Sequence, residues 1–381
     1  MQYVADNYNI NDSKFRLSWM QLARSHNVGA RTFAELLKIF KTPQIALKNL
    51  PELAKRGGRK EGITIAPISE IEKELEMTEK FNAKLILACD RHYPELLLQI
   101  ADPPPILIAK GDTGFLARHK VAIVGARQAS TNGYNFALQL AHDISAKGYV
   151  IASGLAKGID AAAHLGSIEF GTIGIIACGI DQIYPGENKN LYHMLYKQGL
   201  VLSEYKIGQL PLSRHFPQRN RVISGLCYGV VIVEAAVKSG TLITARFALE
   251  QGREVFAVPG SPFDPRYQGT NALIKQGAIL VENADDVLYE LETIIQRSSN
   301  ICMEKKQRLL FESEGKRLPS EQELNKFREI LLTKLSFSPV SLEAVLADLQ
   351  IPISILDLLV LELELAGRLE RRYGNSVCLI A

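Results

Sequence analysis

Seven short apolar runs, separated for the most part by helix-forming segments, constrain this chain more than any other feature. They are Val121–Val124, Tyr149–Ala152, Thr172–Ala177, Leu200–Leu202, Val230–Val233, Val255–Val258 and Ala278–Val281. Each has the length and β-branched content of a strand buried on both faces. Right-handed crossovers lay the intervening helices on both faces of one mostly parallel sheet, so the pattern predicts a Rossmann-like, doubly wound α/β domain. Ligands of that architecture sit at the carboxyl ends of the strands.

One such sheet does not use up 381 residues, and at roughly 100 to 200 residues per domain the chain has room for two to four. From Lys14 to Leu53 the pattern is of short amphipathic helices, with Leu17, Met20 and Leu22 and then Phe33, Leu36, Leu37 and Phe40 at helical spacing. Their connector, Asn27–Ala30, resembles a helix-hairpin-helix turn, which can present backbone N–H groups to DNA phosphates; a purely structural helical domain is the other reading. Residues 296–322 are charged and polar, are interrupted by Ser298, Ser299, Asn300 and Pro319, and read as a linker. Beyond them come a helix from Glu323 to Leu335, one capped by Ser341, a third from Ser354 to Ala366, and a hairpin turning at Gly374 and Asn375. Three helices and a terminal hairpin predict a winged helix. The expected division is residues 1–110 for the helical N-terminal domain and lead-in, 111–295 for the Rossmann-like domain, 296–322 for the linker and 323–381 for the winged helix.

Bulk charge excludes little. The chain has 44 Lys and Arg against 41 Asp and Glu, a net charge of +3. Divided, the figure changes meaning: from Ala117 to Gly260 there are 14 basic and 9 acidic residues, so this stretch is +5 and the remainder −2. Such a field favours phosphate, although it is modest beside strongly basic nucleic-acid proteins. Five cysteines without a C-x-x-C pair argue against a zinc site or a disulfide framework. No basic segment precedes an apolar core at the N-terminus, and no stretch of about 18 uncharged apolar residues occurs. A cytoplasmic protein with no membrane span, metal or cofactor is expected.

The loops after the strands narrow the chemistry. Gly125-Ala126-Arg127 keeps a single glycine where a dinucleotide fingerprint needs three, and places a cation at the mouth. The second of the seven runs leads to Ser153 rather than to the acid that binds a ribose, and no Gly-Lys is followed by Ser or Thr as a Walker A motif requires. Both observations count against a nicotinamide enzyme and a P-loop ATPase. Two turns suit phosphate: Ser153 and Gly154 through Lys157 to Asp160, and Lys238-Ser239-Gly240-Thr241, each leading into a helix start with unpaired N–H groups. Ordinary capping is the alternative, and Asp160 reads first as a structural capping acid. Between Arg214 and Gly225, Arg219 and Arg221 flank Asn220 behind Phe216. Arginines grip phosphates and an aromatic ring stacks on an unpaired base, as in single-strand binders. The other reading pairs Arg219 or Arg221 with internal carboxylates.

These segments, together with Val121–Arg127, Val233–Thr241, Gly252–Gly260, Tyr93–Leu96 and Asp102–Leu107, are similar to the DNA-processing protein A (DprA/Smf) family over most of residues 93–290. The resemblance implies a bacterial cytosolic protein that binds and protects incoming single-stranded DNA in natural transformation and loads the RecA recombinase onto it. It also implies a homodimer formed through the central domain and no catalysis. By the same resemblance Arg127 grips phosphate, as do Arg219, Asn220 and Arg221, with Ser239, Gly240 and Thr241 at the anion-binding helix start. A nucleotide-cleaving reading also exists, since Gly240-Thr241 aligns with the P-G-G-x-G-T-x-x-E motif of phosphoribohydrolases on a related fold. The motif's glutamate then falls at Thr244 and its paired glycines at Val237 and Lys238, leaving Glu234 or Glu250 to be recruited. A third reading has the wing bind duplex DNA through Arg368, Arg371 and Arg372.

Overall fold

The computed structural model describes residues 12–308, 321–372 and 375–380. The chain divides into two compact units, Lys73–Leu309 and a second made of Met1–Glu72 with Leu310–Ala381.

The larger unit is built on a nine-stranded sheet. Its strands are β1 (Lys84–Leu87), β2 (Ile106–Gly111), β3 (Lys120–Val124), β4 (Val150–Ser153), β5 (Thr172–Ile176), β6 (Leu200–Ser203), β7 (Gly229–Ile232), β8 (Glu254–Ala257) and β9 (Ile279–Leu280). Their order is β1-β2-β6-β5-β4-β3-β7-β8-β9. The seven strands from β3 onward are parallel to one another and correspond to the seven apolar runs. β3, β4 and β5 are buried along their whole length because helices cover both faces. Helices Thr131–Ala146 and Ile159–Ser167 pack Leu140, Ile144 and Ile159 against Val121, Ile123 and Ile151; helix Lys189–Gln198 packs Leu191 and Leu195 with Ile176 and Val201.

Strand order reverses at β3, which pairs with β4 on one side and β7 on the other. A crevice opens at such a switch point, outside the carboxyl ends of the strands. The loops beginning at Gly125 and Val233 meet there.

Two boundaries differ from expectation. β1 and β2 join the sheet through antiparallel pairings, β2 with β6, so the domain begins near residue 84 and a boundary at 110 cuts through β2. No full-length crossover helix separates β1 from β2, and without one the antiparallel arrangement is the accessible one. The segment from residue 296 does not start as a linker either: helix Ala284–Arg308 runs through it, having no glycine or proline to stop it. Residues 309–320 of the expected linker lie outside the described residues.

In the other unit, helices Ser13–Arg24, Ala30–Phe40 and Pro43–Arg56 bury Trp19 against Phe33, ring centroids 4.9 Å apart. The chain's other end supplies helices Glu321–Lys334, Leu342–Leu349 and Ile353–Leu365 with strands β10 (Val340–Ser341), β11 (Leu369–Arg372) and β12 (Ser376–Leu379), ordered β10-β12-β11. This is the expected winged helix, with Ser341 capping its second helix by accepting from the Ala344 N–H. Gly374 of the hairpin lies outside the described residues. The two ends were expected to be separate domains; the structure joins them. Asn27 donates to the Leu365 carbonyl at 3.3 Å, and Arg31 to the Asn375 side chain at 2.9 Å.

Candidate nucleic-acid interface

Three chain segments are tied together at the switch point. The Thr241 hydroxyl donates to the Gly125 carbonyl at 3.1 Å, joining the turn after β3 to the start of helix Thr241–Glu250. The Ile159 N–H donates to the Ala126 carbonyl at 3.2 Å, joining the same turn to the next helix. Gly158 makes that approach possible: its φ is +73°, and a Cβ there would lie 2.3 Å from the Ala126 oxygen.

Arg127 leaves this junction exposed, its guanidinium 5.4 Å from the centroid of the half-buried Phe216 ring. Phe216 in turn lies 5.4 Å from Tyr184, which is 43% exposed. A cation and two aromatic rings therefore succeed one another along the rim, Arg127 and Tyr184 exposed and Phe216 half-buried between them. Lys157 is exposed nearby in sequence to the junction glycine and forms an ion pair with Glu187. Lys238 and Gly240 are exposed, and Ser239 accepts from the Thr241 N–H at 3.2 Å. This set has the chemistry of a phosphate grip beside a stacking platform. Sequence reasoning passed over Tyr184, whose signal was an aromatic residue in the loop after β5 that no apolar periodicity required.

Other expected site residues lie inside. Ser153 is fully buried and donates to the Ile123 carbonyl at 2.6 Å. Gly154 is buried, and its N–H, with that of Ala156, is taken by Asp160 at 3.1 and 3.4 Å. The anion position of that turn is thus filled by the chain's own carboxylate. Burial pushes the Asp160 pKa up, opposed by the Arg219 guanidinium and the backbone donors.

Arg219 is 5% exposed and donates to the carbonyls of Gly154 and Ile175, and to half-buried Asn220 at 3.1 Å. Burial lowers its pKa, and the neighbouring Asp160 opposes that shift. Arg221 is 7% exposed, paired with Glu204 and, at 3.3 Å, with Asp102. Burial works against its charge, yet the two carboxylates hold its pKa above the ordinary value. Arg219 and Arg221 are nearly buried and their donors are engaged within the fold, so neither is presented to grip a phosphate. Both point inward because helix His215–Gly225 is buried on more than one side, so that Arg219 and Arg221, two residues apart and on different faces, are each enclosed.

The first helix start is also internally filled. Glu234, fully buried, accepts from the N–H and hydroxyl of Ser130, the N-cap of helix Thr131–Ala146, at 3.0 and 2.5 Å. Glu250 pairs with Arg246 at 2.8 Å. Among the described residues, no group of three or more metal-ligating side chains occurs and no helix is long and apolar enough to span a membrane.

Against known proteins, residues 84–292 match the family model for DNA recombination-mediator protein A, residues 13–76 a DprA-like N-terminal HHH domain, and residues 316–375 the DprA winged helix domain. DNA processing protein DprA of Bacillus subtilis is 48% identical over 204 residues, 53% of this chain and 69% of that protein. Protein Smf of Escherichia coli is 41% identical over 229 residues, 59% of this chain and 61% of that protein. The X-ray structure of DprA from Streptococcus pneumoniae superposes with a TM-score of 0.61 at 32% identity, covering 73% of this chain and 98% of that one. DprA from Helicobacter pylori, whose structure describes its single-stranded DNA binding mode, gives 0.52 at 30% identity over 55% and 96%. With its central sheet, helical N-terminal segment and winged helix all matched in order, the chain belongs to the DprA/Smf family of DNA-binding recombination mediators.

Proposed function

We propose that this protein binds single-stranded DNA along the rim formed by Arg127, Phe216, Tyr184 and the Lys238–Thr241 turn. It protects incoming strands during natural transformation and loads the RecA recombinase onto them. It acts in the cytoplasm as a homodimer, with no cofactor and no catalysis of its own. The observation that carries the reading is the exposed Arg127 guanidinium over Phe216 at the strand switch point. The Helicobacter pylori relative, with its single-stranded DNA binding mode, supports it. A mediator must release its strand to the recombinase, which suits a few placed contacts per protomer; a dimer restores retention by making the second grip intramolecular.

The test is a salt titration of oligonucleotide binding for Arg127→Ala combined with Phe216→Ala. Affinity falls about equally across sequences, and the slope of log affinity against log salt shrinks by about 0.7 for each lost phosphate contact on a single strand. An unchanged slope removes Arg127 from the interface. The phosphoribohydrolase reading is weakened by Thr244 at the glutamate's position and by the internal engagement of Glu234 and Glu250. Release of free base from nucleoside monophosphates would restore it.

A further inference from the structure

A second concentration of positive charge lies in the unit formed by the two chain ends, and the packing of those ends completes it. Helix Pro43–Arg56 runs into the sequence Lys55-Arg56-Gly57-Gly58-Arg59-Lys60-Glu61-Gly62. This loop contains four cations, one carboxylate and no apolar side chain. Gly57 is seated on the last turn of helix Ile353–Leu365: a Cβ at this position would lie 2.0 Å from the Glu362 carbonyl oxygen and 2.8 Å from the Ala366 methyl. Only a glycine admits that approach. It brings the Arg368 guanidinium over Gly58, where it donates to the Gly57 carbonyl at 3.5 Å and remains exposed. Arg368 therefore joins Lys55, Arg56, Arg59 and Lys60 from the opposite end of the sequence.

The cluster is held in place. Arg59 donates to the Glu61 carbonyl at 3.2 Å and reaches the His26 ring at 3.4 Å, and Arg56 pairs with Glu52 at 3.2 Å. Lys55 and Lys60 point outward and are exposed. The other wing cations are committed elsewhere: Arg371 to Glu364 at 2.9 Å and Arg372 to Glu370 at 2.8 Å. The charge is thus at the junction of the two ends and not along the hairpin.

We infer that the Lys55–Lys60 loop and Arg368 form a second nucleic-acid backbone site, distinct from the rim of the central sheet and assembled by docking of the winged helix onto the N-terminal helices. Five cations around two glycines suit a polyphosphate, which is bound by charge and neutralised without base reading. The absence of any apolar side chain between Lys55 and Gly62 leaves no wedge for a lipid bilayer. Single and double strands share this chemistry, and their different charge densities separate them in the test.

The experiment uses the full chain with Lys55, Lys60 and Arg368 replaced together by alanine, all three being exposed. Binding is measured by salt titration with single-stranded and duplex oligonucleotides of equal length. The salt slope shrinks by about 0.9 per lost contact on duplex or about 0.7 on a single strand, and the larger affinity loss identifies the preferred form. Arg127→Ala, measured in parallel, reports on the rim alone, so failure of one site is distinguishable from failure of the other. Gly57→Leu retains every cation yet parts the two ends; it loses the share of the slope that Arg368 supplies, while Arg368→Lys largely preserves it. Unchanged slopes in the triple variant on both oligonucleotides overturn the site. So does binding of the wild-type protein to anionic phosphatidylserine vesicles that the triple variant loses while its DNA binding stays intact.

Discussion

Arg127 and the pair Arg219 and Arg221 are one residue type in one neighbourhood with opposite environments. Arg127 is exposed over an aromatic ring. The other two are buried among carbonyls and carboxylates. A guanidinium at the surface keeps its donors for a ligand, whereas a buried one has already spent them on the fold. The difference teaches that an arginine-rich segment at the mouth of a sheet serves two purposes at once. The inner arginines fix the turns, and the turns aim the outer one.

That contrast has a ranked set of consequences. Arg221→Ala has the largest effect, because it removes the buried counter-ion of Glu204; stability falls by about 3–5 kcal/mol in urea unfolding. A loss no greater than that of a surface substitution would break the comparison. Arg219→Ala removes charge-assisted bonds to two carbonyls and the counterion near Asp160, lowering stability by about 1.5–3 kcal/mol. Its DNA affinity changes through loosening of the Ser153–Gly158 turn, so it is lost for single strands without the loss of a full phosphate contact from the salt slope. A slope change equal to that of Arg127→Ala would place Arg219 in direct contact with the strand.

The third consequence concerns pH. His164 is fully buried beside Thr172, with its pKa pushed down to about 3 by burial and by Arg219. The unfolded chain titrates near 6.5 and so binds a proton that the folded state refuses between those values. Stability present above pH 6.5 is therefore lost on acidification, with a slope contribution of about 1.4 kcal/mol per pH unit. Comparing urea midpoints across this range, the His164→Gln variant lacks that part of the slope; identical slopes would show His164 protonated in the fold. Smallest of all is Arg127→Ala, which alters stability by no more than about 0.5 kcal/mol while weakening DNA binding. Marked destabilisation in a thermal melt would erase the distinction between outer and inner arginines.

Much of the architecture was legible because parallel strands covered on both faces must be apolar at every position, as in Val230–Val233. The edge strands were less so. β1 has four residues, and a run that short does not distinguish strand from buried helix until it pairs. The discontinuous unit was invisible for a different reason: Gly57 meets Glu362 from near the opposite end of the sequence, and no local pattern encodes that contact. At the candidate interface, the exposed members Arg127 and Lys238 were found from their position after strands. The inward turn of Arg221 was legible only as the alternative to a phosphate grip, since its partner Asp102 lies 119 residues away. A string of arginines has the same spelling whichever way it faces.

Glu234 gives the fold a selectivity that its loops alone do not suggest. Its carboxylate sits at the helix start where a free nucleotide's phosphate would be received in a cofactor-binding relative of this architecture, and it is held there by Ser130. A mononucleotide arriving at the crevice must displace a buried anion to bind in that manner. A polymer bound along the rim as proposed need not, because its contacts would be distributed outside the crevice. On the proposed reading, the occupied seat favours a strand laid along the rim over a free mononucleotide.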